Sequence, residues 1–288
     1  AAYIPTVSSL HGRRGFREPG GNVSKVALKL VEGAPFYRKG VEFWTQESGR
    51  DAHSLHYLLP YPEETRPELP HFFVNQCTER REVVLDPFCG SGSVALAANL
   101  LGRVVCASDS NPLAMRMTQA KVEPVDLSMV TLRLQRMNLK RPINVSTFHE
   151  FFQPFFDLNT FRELSNLKTE LKKEQDPTGR FIEGIALSIL HGHTAGYLSS
   201  YTSPLISLHP DSQTALNVRR QGKPEYRSVV PRLLRKAASV LRDGIPSALL
   251  AASEWNRLAV RDARDLSYVK SGEVDLVVTA PPIPDGVD

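Results

Sequence analysis

Three short strings in this chain combine residue types that could do chemistry. The first is Asp86-Pro87-Phe88-Cys89-Gly90-Ser91-Gly92, between the apolar run Glu82-Val-Val-Leu and the run from Ser93 to Leu101. Glycines between a strand and a helix let a ligand approach the backbone, because no Cβ intervenes. A glycine turn alone is equally a tight connection. The second is Asp109-Ser110, closing the apolar run Val104-Val-Cys-Ala-Ser. An acid at a second strand end, about 20 residues after a glycine loop, can accept bonds from both ribose hydroxyls. It is also a good helix cap. The third is Thr279-Ala280-Pro281-Pro282-Ile283, following the run Val274-Asp-Leu-Val-Val. Between the second and third strings, Arg219, Arg220, Lys223, Arg227, Arg232, Arg235, Lys236 and Arg242 face only Glu225 and Asp243. Such clustering is the footprint expected for phosphate contacts. The alternative is a solvated basic helix face. His191 and His193 lack further ligands of convincing spacing, and Cys77, Cys89 and Cys106 form no CxxC pair, so no metal site is expected.

The elements that must position these strings follow from periodicity. Residues 82–85 and 104–108 read as buried strands, with helices after each, the second opening at Asn111-Pro112. Strand, glycine loop, helix, strand, acid is the first half of a doubly wound α/β unit. A helix over Pro67–Cys77 precedes it. From about Lys121 the pattern changes to long helical runs, Leu127–Asn138, Asn159–Gln175, Phe181–His191 and Val230–Leu241, interrupted by the polar stretch His191–Asp211. A third strand, Asn256–Arg261, leads into Asp262-Ala263-Arg-Asp265, and a fourth carries the Thr279 string. The expected organisation is an N-terminal arm with short strands (1–52), a ligand-binding α/β half (53–120), a helical insertion (121–255) and a returning pair of strands (256–288). The arm holds Arg13, Arg14 and Arg17 and two short strands, Val23–Leu30 and Val41–Trp44.

Composition limits the class. Hydrophobic residues are 41% and charged residues 23%, as in ordinary globular proteins, so a disordered or fibrous chain is excluded. A net charge of +4 permits a nucleic-acid partner without arguing for one. No run approaches the ~20 apolar residues that span a membrane, and the start lacks the layout of a signal peptide. A reducing cytoplasm, in association with the nucleoid, is the compartment expected.

The string DPFCGSG resembles the cofactor motif of amino-methyltransferases that act on DNA or RNA. The resemblance spans roughly residues 53–112 and 256–288. It implies a Rossmann-like methyltransferase fold with a large helical insertion, and S-adenosylmethionine as cofactor. The Asp86–Gly92 loop would wrap the methionine half, with Asp86 accepting from its ammonium. Asp109 and Ser110 would hold the ribose. Asp262 and Ala263 would hold the adenine, although Asp265 could serve instead. His53–Pro62 resembles, more loosely, the segment that closes over the methionine end. The frame Val-Asp-Leu-Val-Val-Thr-x-Pro-Pro-x-Pro resembles the catalytic segment of N4-cytosine enzymes in restriction-modification systems. It implies double-stranded DNA as partner, a flipped base, and residues 280–283 around the amine. Ala280 and Ile283 depart from that pattern, which has a polar acceptor and an aromatic there. An RNA guanine-N2 enzyme and a non-catalytic nucleic-acid-binding relative are the other readings. The family's sheet normally has further strands, so a second chain, a further C-terminal segment or the N-terminal strands are expected to complete this one. In this reading the insertion recognises the target, with 191–204 as a probing loop.

Overall fold

The computed structural model describes residues 52–59, 65–174, 176–199 and 209–281. The expected N-terminal arm and its strands, Pro60–Pro62, residues 200–208, Pro282 and Ile283 lie outside the described residues. Residues 49–288 make one compact unit.

All four expected strands of this unit form, and all pair in parallel. They are β1 (Val83–Asp86), β2 (Val104–Asp109), β3 (Arg257–Val260) and β4 (Leu276–Val277), in the order β3-β2-β1-β4. The chain steps outward from β1 to β2 to β3, then crosses back to the other side of β1. The gap between the carboxyl ends of β1 and β4 is therefore a topological switch point, where open α/β sheets bind ligands. Two polar contacts fix the late strands against the early ones. Asn99 and Asn256 pair through their side-chain amides (2.7 and 3.1 Å), and Asn256 Oδ1 also accepts from Val105 N. Asp275 accepts from Val83 N through its side chain and donates its own N–H to Val83 O.

Helices α1 (Glu68–Cys77), α2 (Ser93–Leu100) and α3 (Pro112–Val122) belong to the α/β part. Val84, Val94, Ala95, Ala98, Val105, Ala107, Met115 and Val122 form the core between sheet and helices. Their small and β-branched side chains suit close helix-on-sheet packing. Helix α2 is buried from Ser93 to Asn99 because its other side meets a second core. The region between β2 and β3 holds α4 (Leu127–Arg136), a π-turn (Phe148–Phe152), α5 (Leu158–Lys173), α6 (Pro177–Ser188), α7 (Pro210–Arg219), α8 (Val229–Val240) and α9 (Ser247–Ser253), and its α4, α5, α6, α8 and α9, with Leu55 and Leu58 from before β1, form that core. Leu96 of α2 and Ala120 of α3 share it with Phe181, Ile182, Ile185 and Leu233.

Helix α3 crosses α6 closely. A Cβ on Gly184 would lie 2.4 Å from Ala120 Cβ, so only glycine permits this spacing. The inserted helices are thus fused to the sheet domain through an apolar seam. Helix α6 starts four residues before the expected Phe181, because Asp176 caps it through Gly179 N and Pro177 takes its first turn. Helices α7 and α9 and the π-turn were not anticipated.

Candidate functional site

The glycine loop leaves β1 at its carboxyl end. Gly90 and Gly92 both have positive φ, 50° and 84°, where a side chain is strained. Gly92 also abuts α3: an added Cβ would lie 2.7 Å from Thr118 Oγ1 and 2.9 Å from Thr118 Cα. Thr118 closes the loop from below, donating to Gly90 O at 3.2 Å, and its hydroxyl lies 3.5 Å from Cys89 Sγ. Burial pushes the Cys89 thiol well above its ordinary value, so it is no nucleophile. Lys121, fully buried on the same helix, donates to Ser91 Oγ at 3.1 Å. These two α3 residues shape the loop and were missed in the sequence. Their only signal was a polar residue on a helix face that must be buried.

Asp86 and Asp109 flank the loop, as expected. Asp109 takes Gly90 N on Oδ2 at 2.9 Å and Asn111 N on Oδ1 at 2.8 Å. It orders the loop and the start of α3 together, while Asn111 is the helix cap. A carboxylate has about four acceptor sites, so capacity remains for hydroxyl donors. Asp86 is 2% exposed. Its Oδ1 accepts from Phe88 N at 3.2 Å and from Thr279 Oγ1 at 2.8 Å. Among the described residues no donor meets Oδ2 and no cation pairs with the carboxylate. Burial raises its pKa to about 6, against the lowering effect of the Thr279 and Phe88 bonds. A buried carboxylate in that condition fits a ligand ammonium.

The Thr279 bond carries the geometry across the switch point. It joins the end of β1 to the segment after β4, 193 residues away in sequence, so that Thr279, which Ala280 and Pro281 follow, lies against the first residue of the loop. Ala280 offers a methyl group where the resembled pattern has an acceptor.

Asp262 and Ala263 follow β3, and Asp262 is tied up locally. Its Oδ1 accepts from Arg264 N and Nε, and its Oδ2 from Arg264 Nη2 at 2.7 Å. These hydrogen bonds hold its pKa down, to about 2. An adenine amino group would have to compete with that guanidinium.

The basic residues divide into two sets. Arg227 is 4% exposed, and its Nη1 donates to the carbonyls of Thr194, Tyr197 and Ser199 at 2.6–3.1 Å. Arg232 bonds the carbonyls of Ala195 and Ser228. Lys236 donates to Tyr57 O at 2.8 Å, and burial lowers its pKa to about 8. Those three organise the fold. Arg219, Arg220, Lys223 and Arg235 are exposed. Within 191–199, His193–Gly196 is exposed, while His191 is packed against Phe155 and Phe156 and bonds Ser199 Oγ.

A family model described as DNA methylase, and named for N6 and N4 enzymes together, matches residues 31–120. That span includes the glycine loop and Asp109. The chain is also similar to the Type II methyltransferase M.EcaI of Enterobacter cloacae, 28% identical over 122 residues. The match takes in 41% of this chain and 26% of that relative, so the chain spans about a quarter of the relative's length. No solved structure matches it.

Proposed function

We propose that this chain binds S-adenosylmethionine over the carboxyl ends of β1 and β2 and serves methylation of an exocyclic amine in duplex DNA, N4 of cytosine in the finer reading. The observation that carries it is the buried Asp86, without a cation on it among the described residues, held by Thr279 at the switch point beside a loop with two positive-φ glycines. Asp86 would accept from the cofactor ammonium, the loop would lie along its methionine part, and Asp109 would hold the ribose. Bound there, the cofactor supplies an electrophilic methyl group. An exocyclic amine is a weak nucleophile, because its lone pair is delocalised into the ring. The chain's contribution is to hold a flipped base with its amine protons on the carbonyls of residues 280 and 281.

Ala280 favours a second reading, a relative that binds cofactor and DNA without efficient transfer. One assay separates the readings. Methyl transfer from labelled cofactor to duplex DNA and structured RNA is measured for this chain and for the Ala280→Ser, Ile283→Tyr double variant, with digestion to identify the methylated nucleoside. N4-methylcytosine, raised at least tenfold in the variant, is expected. N6-methyladenine would overturn the finer reading, and transfer to RNA alone would overturn the DNA reading. Cofactor binding without transfer by either protein would favour the second reading. No cofactor binding would defeat the proposal.

A further inference from the structure

The segment Ser146-Thr-Phe-His-Glu-Phe-Phe-Gln-Pro-Phe-Phe-Asp157 is dense in aromatics that the cofactor site does not use. Its backbone makes a π-turn, with Gln153 N bonding Phe148 O at 2.9 Å, and such turns recur at functional sites. Phe148 is buried, and Phe152, itself 38% exposed, stacks one face on Phe161 of α5 with centroids 5.1 Å apart. Phe155 and Phe156 are buried against His191. Phe151 is left 47% exposed on this rigid base.

Two other features of the insertion are held beside it. Asn217 of α7 donates to Pro154 O at 2.8 Å, which brings up the last turn of that helix. There Val218 is 73% exposed, and Arg219, Arg220 and Lys223 follow, with Glu225 the nearest acid in sequence. Through His191, the loop 191–196 packs on the same aromatic base. An exposed ring on a segment tied to a cationic helix end, with Glu150 the acid adjoining it in sequence, suits a polyanion that also has planar, apolar interior surface. Duplex DNA is such a partner, and apolar wedges are known to enter between its base steps.

We propose that Phe151 is a wedge inserted into the base stack of duplex DNA, with Arg219, Arg220 and Lys223 holding the flanking phosphates. The inference rests on the DNA reading above. A wedge must unstack a base step, and that cost is least where pairing is already broken. The whole chain should therefore bind a duplex with one mismatch or abasic site roughly tenfold or more tighter than the matched duplex.

The test measures both affinities, with thermal melting as a control, for the chain, Phe151→Ala, Phe151→Trp and the Arg219→Ala, Arg220→Ala pair. Phe151→Ala should lose the preference and keep its matched-duplex affinity within about threefold. Phe151→Trp should keep the preference. The arginine pair should weaken both duplexes equally and lower the salt dependence. A preference unchanged in Phe151→Ala overturns the proposal, as does self-association of the chain that this variant abolishes. Failure of the unaltered chain to bind any duplex overturns the DNA reading itself.

Discussion

Asp86 makes the carboxylate end of the site pH-dependent. Its folded pKa of about 6 lies above the ordinary value of 3.8, so folding favours the protonated form. The resulting stability is fully present below about pH 4 and is lost as pH rises through 6. It amounts to about 3 kcal/mol. Urea titrations between pH 4 and 7 should show this fall, and Asp86→Asn should flatten it. Cofactor affinity should run the other way, strengthening as pH rises through 6, since only the carboxylate pairs with an ammonium. In Asp86→Asn it should drop roughly 10–100-fold with no step near pH 6, as calorimetry would show. The loop and both acids were legible because a glycine string and an acid at strand ends leave a local pattern. The roles of Thr118, Lys121 and Thr279 were not. Each depends on a contact made across 28 or more residues.

Strands and amphipathic helices are legible in the sequence, because alternation and apolar periodicity are local consequences of burial. Helix α7 escaped because its residues, Pro-Asp-Ser-Gln-Thr-Ala-Leu-Asn-Val-Arg, carry turn formers and no continuous apolar stripe. It is held by its cap at His209 and by Asn217. The π-turn escaped because one shifted hydrogen bond has no compositional signature. The crossing of α3 and α6 was equally hidden, and it is testable. Gly184→Ala should destabilise by about 1–3 kcal/mol through overpacking, despite the better helix propensity of alanine. Adding Ala120→Gly should recover part of the loss, because it reopens the space. Denaturant midpoints of the two single variants and the double variant measure the coupling.

At the scale of the molecule, the basic cluster was legible in number but not in use. Arg227→Ala should cost on the order of 3 kcal/mol, because several buried carbonyls lose their donor. Arg219→Ala should leave the melting temperature unchanged and weaken DNA binding. If Arg219, Arg220, Lys223 and Arg235 are the phosphate contacts, log K against log salt should have a slope of about −3.6. Adding Arg227, Arg232 and Lys236 to those four would give about −6.3. A slope near the larger figure would mean that Arg227, Arg232 and Lys236 leave their carbonyls on binding. The placement of the insertion between β2 and β3 also governs how the chain is made. β1 and β2 emerge from the ribosome together, but Arg257, the partner of Cys106, follows 151 residues later. At ordinary rates of synthesis that is on the order of ten seconds. Over that interval β2 presents an unpaired edge, a template for foreign strands. Asn99 must likewise wait for Asn256. The edge of β2 and, until β4 follows, the other edge of β1 are the surfaces that a nascent-chain chaperone would have to cover.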